Sequence, residues 1–182
     1  MTHAGAAALA LLTSMAIPAS AAAGDLLVGA YDHDIDVNVA LGNFESGAQV
    51  GVGYRTEPLR VLRAVGGPRA QVMGMANTAG ETSYVTAGLI WKFPIGRRFY
   101  FAPGIGGAVH NGNTDKFQGT PDDLYLGSRL LFAPELNLGW RANERWGVEA
   151  SWIHLSHGQT QGRQNPGLDD IGVRLTYKLG GR

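Results

Sequence analysis

The chain has 182 residues, 45% apolar and 16% charged, with 15 basic residues balancing 15 acidic ones and no cysteine. This length and composition describe one domain able to bury an ordinary core, which argues against a disordered chain. Zero net charge removes the electrostatic case for a nucleic-acid partner, and the lack of cysteine excludes disulfides, thiolate zinc sites and a thiol nucleophile. The 27 glycines are the unusual quantity, about twice the ordinary usage of roughly 7%, with no collagen period.

In chain order, Met1 to Ala23 has no acidic residue, an apolar run from Ala6 to Leu12, then Pro18 and the small residues Ala19 to Ala23. This reads as a secretory signal peptide cleaved after Ala21 or Ala23, because the apolar run falls short of the ~20 residues of a membrane span. Residues 24–182 are the expected mature domain. Beyond residue 23 no stretch sustains the i, i+3, i+4, i+7 spacing of a helix, whereas apolar residues alternate with polar or small ones throughout.

The first predicted strand is Asp32 to Leu41, with Ile35, Val37, Val39 and Leu41 opposite Asp34, Asp36, Asn38 and Ala40. Val50 to Tyr54 and Arg69 to Asn77 follow as weaker candidates. Ser83 to Phe93 is the clearest, with Val85, Ala87, Leu89, Trp91 and Phe93 on one face and Tyr84, Thr86, Gly88, Ile90 and Lys92 on the other. Phe99 to His110, Ser128 to Arg141, Trp146 to Ser156 and Asp170 to Lys178 complete a set of about eight. The prediction is an all-β, antiparallel, eight-stranded barrel.

Two barrels show this alternation. A soluble barrel turns its apolar face inward, while a membrane barrel turns it to lipid and keeps a polar or glycine-lined interior. Here the non-apolar faces mix charges with glycines, as in Gly51/Gly53/Arg55 and Tyr100/Ala102/Gly104/Gly106/Ala108/His110. A narrow interior needs small residues beside paired charges, which accounts for much of the glycine. Strand lengths match the about 9–11 residues of a transmembrane strand. Aromatic residues near strand ends, such as Phe99, Trp140 and Trp146, suit interfacial girdles. These features favour the transmembrane barrel over a secreted lipocalin-like one.

Candidate chemistry lies in the last two strands. Alternation puts His154 and Ser156 on the apolar, lipid-facing side with Val148, Ala150 and Trp152, so imidazole and hydroxyl share a face. By the same parity Asp169 faces outward and Asp170 inward. In a hairpin of these strands Asp169 nears His154, where a carboxylate holds the imidazole tautomer and stabilises the imidazolium. The plainer alternative is a girdle histidine beside a loop serine; polar groups facing hydrocarbon are costly, which keeps the catalytic reading alive. His157 points to the opposite face if the strand continues, which disfavours a two-histidine metal site. Asp32, Asp34 and Asp36 suggest calcium less than salt bridges to interior arginines such as Arg129 or Arg174. No cofactor is expected.

At His154-Leu155-Ser156-His157-Gly158, Asn165-Pro166-Gly167-Leu168-Asp169 and the strand from Ile171 to Tyr177, the chain resembles the PagL family of outer-membrane lipid A 3-O-deacylases. The resemblance spans the expected mature chain in size and strand count, with its specific motifs in about the last 35 residues. It implies an eight-stranded barrel of the bacterial outer membrane, with a lipid-facing serine-histidine-acid triad that hydrolyses the ester of the 3-position hydroxyacyl chain of lipid A. Carried over, Ser156 is the nucleophile, His154 the general base and Asp169 the acid. Asn165, with backbone N–H groups near His157 and Gly158, is the oxyanion-hole candidate. His157 stands where the family usually has Asn, and Asp169 where it commonly has Glu. A homodimer, with lipopolysaccharide as substrate, is also implied. Two alternatives remain at this stage: an outer-membrane phospholipase, whose family uses a larger barrel, an asparagine and calcium, and a non-enzymatic structural or adhesive barrel.

Overall fold

The structure, a computed structural model, describes residues 23–37, 44–114, 124–158, 160 and 166–180. Its strands are β1 (Gly24–Asp32), β2 (Ala48–Thr56), β3 (Arg69–Asn77), β4 (Tyr84–Ile90), β5 (Phe93–Ile95), β6 (Phe99–His110), β7 (Leu130–Phe132), β8 (Glu135–Arg141), β9 (Trp146–Leu155) and β10 (Leu168–Leu179). Both β4 and β5 pair with β6, as two runs of one stave. Likewise β7 and β8 both pair with β6, interrupted at Ala133-Pro134, where the proline has no N–H to give a ladder. Ten segments thus make eight staves, all antiparallel. Pairing of β1 with β10, from Gly24↔Leu179 to Asp32↔Ile171, closes the barrel. Closure leaves no sheet edge with unpaired N–H and C=O groups, the condition for a sheet to cross hydrocarbon.

Outward positions are mostly apolar, and Val28, Val50, Val85, Ile105, Leu138 and Val173, on six different staves, are exposed. The girdle positions are exposed too, with Phe93, Phe99, Trp140 and Trp146 toward one end. This is the lipid-facing surface expected from the alternation. Inside, the glycines make room. A Cβ at Gly139 would overlap the Tyr100 ring, and one at Gly29 would lie 2.7 Å from Arg174 Cβ. The space so left is filled by a buried ionic lattice. Arg55 makes two bonds to Glu149 (2.8 and 2.9 Å), and Arg174 reaches Glu149 at 2.6 Å and Glu135 at 2.6 Å. Gln71, Asn137 and Tyr100 complete it.

Three expectations need correction. The first strand is Gly24–Asp32, and Asp32 to Leu41 is not one: residues 33–37 have left the sheet, and residues 38–41 lie outside the described residues. The interior is not polar throughout: besides the ionic lattice and a second buried polar cluster of His33, Gln49 and Asp170 at the other end, it holds an apolar stretch. Leu27, Tyr31, Met73, Met75, Tyr84, Leu131 and Leu155 form an apolar plug beyond the ionic lattice. The aspartates do not pair with Arg129 or Arg174. Asp32 and Asp36 are exposed, and Asp34 Oδ2 accepts the amides of Phe44 (2.7 Å) and Glu45 (2.8 Å). Arg129 donates instead to the carbonyls of His110 and Gly112. Among the described residues no group of three or more His, Asp or Glu is placed to hold a metal ion. The predicted signal peptide lies outside the described residues except for Ala23.

Candidate active site

The two ends of the barrel differ in their connections. Segments 33–47, 78–83, 111–129 and 156–167 join strands at one end; 57–68, 96–98 and 142–145 join them at the other. Outer-membrane barrels keep short turns on the periplasmic side and longer loops outside, so the first end is the outer one. His154, at the outer end of β9, and Asp169, at the outer start of β10, are direct register partners. His154 Nδ1 lies 3.0 Å from Asp169 Oδ1. An ionised carboxylate can only accept, so this contact puts the proton on Nδ1 and leaves the Nε2 lone pair free to act as a base. Asp169 is wholly buried and His154 only 8% exposed, although both stand on the lipid-facing side.

Trp152, two residues before His154 on the same face, donates its indole N–H to the same carboxylate oxygen at 2.7 Å. Its ring lies 6.0 Å from the imidazole, centroid to centroid. In sequence Trp152 reads as an apolar residue of that face and one of the aromatics suited to an interfacial girdle. Asp169 is also fixed through its backbone, since its carbonyl accepts the Ile35 N–H at 3.0 Å. Asp170 turns inward, as parity requires, and takes His33 Nδ1 at 2.8 Å and the Tyr84 hydroxyl at 2.5 Å. His33 Nε2 contacts Glu45 at 2.9 Å. Sequence reasoning did not single out His33 or Tyr84 as partners, because the contacts span 137 and 86 residues of chain.

Strand β9 ends at Leu155. Ser156 continues as an isolated bridge to Phe132, giving its N–H to the Phe132 carbonyl (3.1 Å) and accepting the Phe132 N–H (2.7 Å). The alternation therefore extends to Ser156, which is partly exposed two residues beyond His154. His157 is buried, and its carbonyl accepts Thr160 N and Oγ1. Gly158 is exposed with φ at 55°, a left-handed conformation that suits glycine at the strand exit. Asn165 lies outside the described residues.

His33 stands just outside the membrane-spanning strands, and its protonation is coupled to this rim. Burial would lower its pKa, but the bonds and charges of Asp170 and Glu45 outweigh it and raise the value from 6.5 to about 9. A raised folded-state value means stabilisation that is complete below about 6.5 and is lost as pH rises through about 9. Denaturant unfolding of the micelle-bound barrel is expected to show a midpoint that falls between pH 6.5 and 9, with His33→Gln flattening that slope. A wild-type midpoint constant over the interval contradicts the assignment.

With this geometry in place, the relatives are informative. The family model for lipid A 3-O-deacylase (PagL) matches residues 48–178. No curated protein gives a significant match. The crystal structure of the outer membrane enzyme PagL is similar at TM-score 0.60 and 18% identity, over 84% of this chain and 98% of that one. Neisserial surface protein A is similar at TM-score 0.57 and 10% identity, over 86% of this chain and 97% of that one. Identities this low carry the barrel fold alone, but the family match takes in seven of the eight staves and every described residue from His154 to Asp169. The chain is an outer-membrane barrel and belongs to the PagL family of lipid A 3-O-deacylases.

Proposed function

We propose that the chain hydrolyses the 3-position ester of lipid A with Ser156 as nucleophile, His154 as general base and Asp169 as the acid that orients it. The observation that carries this reading is the 3.0 Å His154–Asp169 contact on the lipid side of the barrel, two residues from a hydroxyl. His154 Nε2 takes the Ser156 proton as Oγ attacks the ester carbonyl, and the imidazolium that forms is stabilised by Asp169. The alkoxide of the sugar leaves with the proton from His154. The acyl-serine is then cleaved by water activated by the same imidazole, releasing a 3-hydroxy fatty acid. Backbone N–H groups around His157 and Gly158, with Asn165, are the proposed donors to the oxyanion.

The lipid-facing position supports this substrate class, because an acyl ester in the outer leaflet reaches the triad without leaving the bilayer. Mass spectrometry of lipid A from cells with and without the gene tests it: expression should remove one hydroxyacyl mass. Unchanged lipid A beside abundant folded barrel rejects the reading, and lysophospholipid in its place transfers it to phospholipid esters. Trp152→Phe keeps the ring and deletes the N–H held by Asp169, and turnover is expected to fall roughly tenfold, the scale of one hydrogen bond to a charged group. Release of hydroxy fatty acid by the purified variant measures it. Homodimer formation belongs to the same proposal, and the mass of the detergent-solubilised protein reads it directly.

A further inference from the structure

The neutrality of the chain conceals a separation of charge along the barrel axis. Among the described residues the outer end carries Asp32, Asp34, Asp36, Glu45 and Glu81 beside Asp169 and Asp170, against Arg129 and the imidazolium of His33 held by Asp170 and Glu45. In the middle, Arg55 and Arg174 cancel Glu135 and Glu149. The inner end has nine bases against three acids, Asp25, Glu57 and Glu144. A cavity of about 860 Å³ opens there. Two of its acids are already engaged, Asp25 with Lys92 at 2.9 Å and Glu57 with Arg69 at 3.5 Å. Arg97, Arg98, Arg141, Arg145 and Lys178 line the same cavity and have no ion-pair partner among the described residues. Arg141 donates one bond to the Arg97 carbonyl and Arg145 one to the Tyr177 hydroxyl, and a guanidinium has five N–H groups to give.

The depth of these cations identifies their ligand. Arg97 and Arg98 lie in the turn between exposed Ile95 and exposed Phe99; Arg141 directly follows Trp140, and Arg145 directly precedes Trp146. Aromatic girdles mark the boundary of the hydrocarbon, so the guanidinium groups stand at the level of the lipid phosphates. Arginine forks match phosphate oxygens two at a time, and clustered basic side chains at a membrane surface favour anionic lipid. From this we infer that the inner mouth of the barrel is a binding site for the phosphate-bearing headgroup of an anionic phospholipid, drawn from the leaflet that surrounds this end.

The test uses the full barrel in neutral detergent micelles with phosphatidylglycerol or phosphatidylcholine added, and native mass spectrometry to count retained lipid. Wild type is expected to retain phosphatidylglycerol about tenfold more than phosphatidylcholine. The variant R97Q/R98Q/R141Q/R145Q is expected to lose that preference while keeping the heat-modifiable gel mobility of a folded barrel. Ser156→Ala is expected to bind as wild type does, so the result is independent of the proposed triad. Equal retention of the two lipids, or unchanged preference in the folded variant, overturns the inference. Inorganic phosphate that displaces the retained lipid at millimolar concentration also overturns it, because the site then takes a free anion in place of a headgroup.

Discussion

Ser156→Ala and His154→Ala each leave lipid A fully acylated, with the released 3-hydroxy fatty acid reduced by at least about 10³-fold, because nucleophile and base act as a unit and the loss of either removes the covalent route. Their double variant is expected to be no slower than the worse single one. Asp169→Asn separates geometry from charge. The amide keeps the volume of a wholly buried group, but it can turn its NH₂ toward Nδ1 and favour the other tautomer, which occupies Nε2 with the proton it has to receive. A fall in turnover of about 10³–10⁴-fold with little change in KM is expected, on the scale seen when the acid of a serine triad becomes an amide. All three variants should fold, since these side chains lie outside the ionic lattice of the barrel, and heat-modifiable mobility on gels verifies it. A folded Ser156→Ala barrel that still deacylates lipid A at the wild-type rate removes Ser156 from the mechanism. Asp169→Glu addresses the departure from the family pattern. Direct register pairing with His154 already brings the short aspartate within 3.0 Å, so the longer side chain has to fold back and is expected to lose activity.

How far the sequence could be read depends on which face carries the signal. Ser83 to Phe93, Ser128 to Arg141 and Trp146 to Ser156 were legible because one side of each stave is apolar and the other small or charged. Strand β1 was not. Its inward residues include Leu27 and Tyr31 and its outward ones Leu26, Val28 and Ala30, so both faces are apolar and the period-2 contrast vanishes. The alternating aspartates at 32, 34 and 36 then imitated a strand where the chain turns off the sheet, with Asp34 at φ 51°. Parity did place Asp169 and Asp170 on opposite faces, and the register that brings Asp169 to His154 follows from a hairpin between neighbouring strands. What surrounds the pair was beyond any local pattern. Ile35 and His33 reach β10 from the far end of the chain, and the role of Trp152 depends on the direction of one N–H bond. A girdle tryptophan and a carboxylate donor have the same letter in the sequence.

Glu149→Ala is expected to be among the most destabilising single changes in the barrel, by about 3–5 kcal/mol, because it strands buried charge. Glu149 receives four bonds, two from Arg55, one from Arg174 and one from Tyr100. Arg55, Arg174 and Glu149 have no solvent exposure. Without the carboxylate, Arg174 keeps Glu135 and Asn137, whereas Arg55 keeps only Gln71. The cost therefore falls chiefly on Arg55, and a double-mutant cycle isolates it. Removing Arg55 as well, in R55A/E149A, leaves Arg174 balanced by Glu135 and should recover much of the loss, so that the penalties of R55A and E149A alone sum to more than the double one. Urea unfolding in micelles measures each corner. Added salt is expected to leave the coupling unchanged, since ions do not reach a pair with no exposed surface. Strictly additive penalties, or a coupling that disappears in salt, would show the lattice to be hydrated and the barrel held by strand closure and the apolar plug alone.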